Sequence, residues 1–202
     1  MNSELFDALK SYVGFGDRDA ANLRALASPC SRLAPAVVDR FYEVLLEHPG
    51  ARAVLADAGE VERLKPILAN WLRELFGGQY DEAYYRSQFR IGQTHVRVGL
   101  PQRYMPLAME VARAELTKGL RQAGIADIDE KLDSLQKLLV LDLTIMLGSY
   151  NESYTSQIRE AEQRAMEGRL ARTEHLAEIG QLAASLAHEI KNPLTPIQLN
   201  AQ

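Results

Sequence analysis

The chain has 202 residues, 47% of them hydrophobic, enough apolar material for one core of ordinary size plus an appendage. Charged residues make up 25%, the formal net charge is −4, and no basic cluster occurs, so nucleic acid is not expected as a partner. The single cysteine, Cys30, rules out an internal disulfide and suits a reducing cytoplasm; with no signal peptide and no run of about eighteen apolar residues, a cytoplasmic protein without a membrane span is expected.

In chain order the pattern is all-α. Residues near 3 to 13 form a short leading helix, and Asp17 is expected to cap a second that runs through Leu23 and Leu26 until Pro29 stops it. The next helix, about Ser31 to Glu47, sets Val38, Tyr42 and Leu45 on one face, so Tyr42 projects from an apolar stripe. Alone, that placement suits a core tyrosine satisfied by a carbonyl as well as a ligand contact. His48 precedes Pro49-Gly50 at the helix end and reads as an exposed imidazole. From Glu60 to Phe76, Val61, Leu64, Leu68, Trp71 and Leu75 form one stripe, with a bend expected at Pro66 and a stop at Gly77-Gly78. The stripe is core first, with Leu64 and Leu68 the candidates to line a pocket.

The segment Asp81 to Leu100 carries His95 on an apolar face, directly before the helix-ending Gly99-Leu100-Pro101. Ile91 and Gly92 stand one turn before it and Val98 and Gly99 one turn after. A buried imidazole with no carboxylate or second histidine beside it cannot make a closed zinc site, which needs about four protein ligands. It can be the single protein ligand of a haem iron, or a core histidine bonded to a backbone carbonyl, and on spacing alone the core reading is the commoner.

Beyond Pro101 a helix carries Tyr104, Leu107, Ala108, Val111 and Leu116, and after Gly124 another begins near Ile128. Its stretch Leu138 to Leu147, LLVLDLTIML, is apolar around most of its circumference. One face can close a pocket while the other calls for a second protein surface, most simply a second copy of the chain; the alternative is burial within one chain.

Asp39-Arg40-Phe41-Tyr42, Trp71, Leu75-Phe76-Gly77, Tyr80-Asp81-Glu82, Tyr85, Ile91-Gly92, His95 and Val98-Gly99-Leu100 together resemble the globin-coupled sensors, bacterial gas-sensing globins, over roughly residues 10 to 150. The resemblance implies a globin-like fold holding haem b non-covalently, with His95 as the proximal axial ligand of the iron and Tyr42 over the distal face. It also implies that Leu64, Leu68, Ile91, Val98 and Tyr104 contact the cofactor, and that the last two globin helices pair across a homodimer. The ligand would be a diatomic gas, dioxygen or else carbon monoxide or nitric oxide, with the Tyr42 hydroxyl donating a hydrogen bond to bound dioxygen.

From Asn151 no proline appears until Pro193, and Ala, Glu, Gln and Arg dominate, as in a long exposed helix. Ile158, Ala161 and Ala165 mark a thin apolar seam that strengthens at Leu176, Ile179, Ala183, Leu186 and Ile190, which suggests a parallel paired helix. His175 is read as a solvated or inter-helix polar residue. His188-Glu189-Ile190-Lys191-Asn192-Pro193-Leu194 resembles the phosphoacceptor box of sensor histidine kinases. That resemblance implies that His188 takes the γ-phosphoryl group of ATP, that Glu189 helps to deprotonate its imidazole, and that Asn192 lies close to the transfer site. The chemistry is coherent, since a carboxylate can hold one ring nitrogen protonated while freeing the other as nucleophile.

The expected organisation is therefore a haem sensor domain over 1–150, a signalling helix over 151–180, and the truncated start of a phosphoacceptor domain over 181–202. The sequence contains no Gly-rich ATP-binding stretch, so ATP and a response regulator are expected as partners of a longer parent kinase. Two other classes compete: a globin enzyme such as a nitric oxide dioxygenase, in which the output helix and the His188 box have no purpose, and a haemless globin-fold dimerisation module.

Overall fold

The structure, a computed structural model, describes the backbone over 2–55 and 58–199 and side chains over 4–55 and 59–186. Among the described residues every regular element is helical: α1 (Asn2–Val13), α2 (Asp17–Ala25), α3 (Ala27–Glu47), the short α4 (Pro49–Arg52), α5 (Ala58–Glu74), α6 (Glu82–Arg97), α7 (Tyr104–Gln122) and α8 (Ile128–Leu199). The all-α expectation is met. The chain divides into two compact units, Met1–Ser153 and Tyr154–Gln202.

Two helix boundaries differ from the sequence expectation. Pro29 does not stop α2, which ends at Ala25; it sits in the first turn of α3, where a missing N–H removes nothing because the first donors of a helix have no partner within it. Asp17 is not the cap of α2. Gly16 takes that position, and its N–H donates to the Asp19 carboxylate at 3.0 Å. Pro66 lies inside α5 without interrupting it.

In the first unit α3 is the central element, packing against α5 and α7, while α6 packs against α1. The core is built from leucines and aromatics of these helices together with α2 and the first part of α8: Leu23, Leu72, Leu75, Leu116, Leu120, Leu135, Leu138 and Tyr150 are almost wholly buried. Each such leucine stabilises the fold by about 1.5–3 kcal/mol relative to exposure. Cys30 is among them, and burial pushes its thiol up to about 12. Asp19 ties α2 to α8, accepting from Ser134 Oγ at 2.8 Å and Lys137 Nζ at 3.0 Å.

The stretch Leu138–Leu147 is buried mostly by its own chain. Leu138, Leu139, Leu141, Asp142, Ile145 and Met146 are buried, and Val140 and Thr144 are its exposed positions. In the second unit every described side chain is exposed, including Tyr154, Ile158, Met166, Leu170, Leu176, Ile179, Leu182 and Leu186. Among the described residues, therefore, nothing covers that seam. No helix among the described residues is long and apolar enough to cross a membrane.

Candidate functional site

Helix α6 positions His95, and its two ends are closely specified. At the start, the Asp81 carboxylate accepts from the Tyr84 N–H at 3.1 Å. At the end, Gly99 takes a left-handed φ of 74°, the Gly99 N–H donates to Val96 O at 3.0 Å, and the Leu100 N–H donates to His95 O at 3.0 Å. This pair of reverse bonds is a Schellman stop, and it requires a residue without a Cβ penalty at position 99. His95 thus stands in the last turn of a helix whose termination engages its own carbonyl.

Three contacts hold α6 against the first part of α8. The Tyr84 hydroxyl donates to Asp142, 2.9 Å from each carboxylate oxygen. Gly92 lies so near α8 that a Cβ would stand 2.6 Å from Met146 O and 2.8 Å from Met146 Cα, with Ser149 Oγ closer still. Beyond the helix end, the Tyr150 hydroxyl donates to Leu100 O at 2.9 Å. On the opposite side Phe6 of α1 packs against Tyr84 and Tyr85, with ring centroids 6.4 and 5.6 Å apart. Helix α5 meets α6 at a buried contact, the Trp71 Nε1–H donating to Gln88 Oε1 at 3.1 Å.

The His95 ring is half-buried, and its Nδ1 is buried without a hydrogen-bond partner of good geometry. Burial pushes its pKa below the ordinary 6.5; the Ile91 carbonyl one turn back pulls the other way, and no charged group contributes. The imidazole is therefore neutral at neutral pH. With Nδ1 turned to the Ile91 carbonyl as N–H, the Nε2 lone pair is free to bind a metal. Among the described residues no group of three or more His, Cys, Asp or Glu could hold a metal ion. The site can offer one neutral nitrogen ligand, which suits an iron whose other in-plane ligands come from a macrocycle.

Tyr42 of α3 is buried, and its hydroxyl has no hydrogen-bond partner among the described residues. Burial pushes it up to about 12, with Lys65 opposing. It lines a cleft of about 850 Å³ between α3, α4 and α5 together with Leu46, Leu55, Val61 and the charged Asp39, Arg52 and Lys65. Of the residues expected to contact the cofactor or its ligand, Tyr42 is the one in this cleft. Leu64, Leu68 and Ile91 are partly buried against the core, Val98 at the α6 cap is 49% exposed, and Tyr104 lies against Gly50 of α4 with the Arg103 guanidinium 5.2 Å from its ring centroid. His48 and His175 are exposed, as their sequence positions suggest. The backbone of His188, Glu189 and Asn192 falls within α8, but their side chains lie outside the described residues.

One cluster was not anticipated from the sequence. Trp71 Nε1 donates to Gln88 Oε1 at 3.1 Å and the Tyr84 hydroxyl to Asp142, so two buried polar pairs, one turn apart on α6, tie that helix to α5 and to α8. Gln88 and Asp142 are fully buried, and Gln88 Nε2 has no partner. Burial pushes Asp142 well above the ordinary carboxylate range, with Tyr84 and Trp71 opposing. The signal that could have pointed to it is one acid inside the apolar run LLVLDLTIML.

A family model described as Protoglobin matches residues 2–156. The heme-based aerotactic transducer HemAT of Halobacterium salinarum is 24% identical over 204 residues, covering 95% of this chain. The chain spans 39% of the length of that curated relative. Among solved structures, the globin domain of a Geobacter sulfurreducens globin-coupled sensor is 31% identical over 71% of this chain and 96% of its own, with a TM-score of 0.67. The ferric globin domain of E. coli DosC, 19% identical over 71% of this chain and 98% of its own, shares the fold with a TM-score of 0.60.

Proposed function

The chain belongs to the Protoglobin family, and from that premise we propose that it is the sensing part of a histidine kinase, with His95 as the proximal iron ligand and Tyr42 as the distal hydrogen-bond donor. The cofactor is haem, and the function is sensing a diatomic gas through it. The observation that carries the assignment of His95 is its isolation: a half-buried neutral imidazole with an unpartnered Nδ1 and no neighbouring acid. When bound, haem supplies an iron that takes the gas reversibly. The chain's own residues do the rest. His95 Nε2 supplies one lone pair, and the Ile91 carbonyl favours the proton on Nδ1. The Tyr42 hydroxyl, raised to about 12 and hence protonated, has an uncommitted donor for a polar diatomic ligand. Leu64, Leu68, Ile91, Val98 and Tyr104 are proposed as the apolar and aromatic contacts of the cofactor.

The proposed organisation is the sensor over 1–150, a signalling helix over 151–180 and the start of a phosphoacceptor domain over 181–202, in a homodimer in the cytoplasm, where ATP is supplied. The uncovered seam from Ile158 to Leu186 supports pairing with a second copy, and its strictly helical course supports transmission as a rotation or register change. In the parent protein a neutral ring nitrogen of His188 would attack the γ-phosphorus of ATP. The bond to the β–γ bridging oxygen breaks, ADP leaves, and Glu189 takes the ring proton, with Asn192 beside the transfer site. A response regulator would then receive the phosphoryl group. This output rests on the seven-residue His188 box; a HemAT-type transducer is a relative without that assignment.

The test is an ultraviolet–visible spectrum of the purified chain, oxidised, reduced and under dioxygen or carbon monoxide, beside His95→Ala. A Soret band that shifts with redox state and gas and is lost or altered in the variant is expected. A chain that takes up no haem would instead be a dimerisation module. For the output, His188→Ala in the parent protein should abolish acid-labile phosphate; persistent labelling would remove His188 from the role.

A further inference from the structure

We infer that the buried cluster of Asp142, Tyr84, Trp71 and Gln88 is the junction through which gas binding repositions the output helix, with Asp142 and Tyr84 as positioning residues. The inference rests on the haem-sensor reading above. It begins from an anomaly of composition. Asp142 is fully buried within Leu138–Leu147, where leucine or isoleucine would pack without desolvating a carboxyl group. A buried acid at such a place contributes little to stability; its contribution is to geometry, because hydrogen bonds fix relative positions that apolar contacts leave free to slide.

The geometry it sets is specific. Asp142 belongs to the first part of α8, Tyr84 to the first turn of the His95 helix, and Trp71 to α5, the helix that carries Leu64 and Leu68. Gln88 lies two turns before His95 on the same face of α6 and accepts from Trp71 at 3.1 Å. Tyr84 and Gln88 are one turn apart on α6, so a displacement of the His95 helix moves both its bond to Asp142 of α8 and its bond to Trp71 of α5.

The cluster also has the makings of a two-state element. Trp71 can only donate through its ring, so the amide oxygen of Gln88 must face it and Nε2 is left as an unused donor in the dry interior. The Tyr84 hydroxyl is divided between both Asp142 oxygens, at 2.9 Å each, and a carboxylate has acceptor capacity beyond what this arrangement uses. An unused donor and unused acceptor capacity in one buried group allow a second arrangement of bonds, which is what a packed core requires to switch rather than deform.

Trp71 is the single tryptophan of the chain, so the junction can be read without labelling. Ultraviolet resonance Raman spectra of the haem-loaded chain should show the Trp71 indole N–H hydrogen-bond band at different positions in the ferrous form without ligand and under carbon monoxide. Asp142→Asn retains an acceptor for Tyr84 and should keep the shift. Asp142→Leu and, should that variant not fold, Tyr84→Phe should lose it, while the Soret maxima of the two states remain those of the wild type. A wild-type band that is the same in both states, or a full shift in Asp142→Leu or Tyr84→Phe, would overturn the junction with the haem reading intact. A wild-type chain with no Soret band would overturn the sensor reading and the junction with it.

Discussion

The Tyr150 hydroxyl donates to the Leu100 carbonyl at 2.9 Å, and the Leu100 N–H in turn donates to the His95 carbonyl at 3.0 Å. One residue of the loop after α6 thus connects the backbone of His95 to a side chain of α8. Tyr150→Phe removes the donor and leaves a partly buried carbonyl unsatisfied, so the chain should lose about 1–3 kcal/mol of unfolding free energy, measured by urea titration. A loss confined to a few tenths would mean that water replaces the hydroxyl.

At Gly92 the backbones of α6 and α8 come close enough to exclude a side chain. The obstacles to a side chain there include the Met146 carbonyl and Cα, which cannot swing aside as a side-chain terminus can. Gly92→Ala should destabilise by about 1–3 kcal/mol through forced separation of the helices, and Gly92→Val by more. If chemical denaturation placed the Ala variant at or above the wild type, the close approach would not be required by the fold.

The pH dependence of the haem-free chain should carry a histidine signature. The folded pKa of His95 lies below 6.5, so on acidification the unfolded chain takes up a proton first. The stability linked to this group is full above pH 6.5 and is lost as the pH falls through that value toward the folded pKa. His95→Leu should flatten this part of the curve when urea midpoints are compared across the window. An unchanged slope would assign it to other groups.

Asp142 should act in the opposite sense. Its folded pKa is raised well above the ordinary 3.8, so the folded state holds the proton more tightly than the unfolded state. Its linked stability is greatest below 3.8 and declines as the pH rises from there to the folded pKa. Asp142→Asn, which cannot titrate, should lose that decline. A variant whose curve runs parallel to the wild type would show the carboxyl group to be less perturbed than its burial implies.

The fold class was legible because α3, α5, α6 and α7 each carry an apolar stripe at helical spacing, and because Gly99-Leu100 and Gly77-Gly78 stop helices by local geometry. His95 was singled out for a negative reason, the absence of any acid or second histidine near it in sequence. Asp142 was not, since its burial depends on Tyr84, 58 positions away, and a lone acid in an apolar run carries no sign of its partner. Gly92 was read as a small neighbour of His95, whereas its function is to admit α8, a contact that periodicity within α6 cannot express. Leu138–Leu147 was expected to need a second surface on one face; the chain supplies most of that surface itself, and Val140 and Thr144 are the positions it leaves open. The Pro29 and Gly16 boundaries turned on which of two adjacent helices a residue serves, and single-residue propensities do not decide that.

The burial of Cys30 makes the native protein chemically silent toward thiol reagents. A sulfhydryl 4% exposed, and raised to about 12, reacts only when the surrounding helices open, so its alkylation rate is a clock for that opening. A cysteine introduced at an exposed position of α8, such as Ile158 or Leu176, would react long before it. Spin labels or fluorophores can therefore be placed along α8 at single sites, with every native residue of 1–153 left in place.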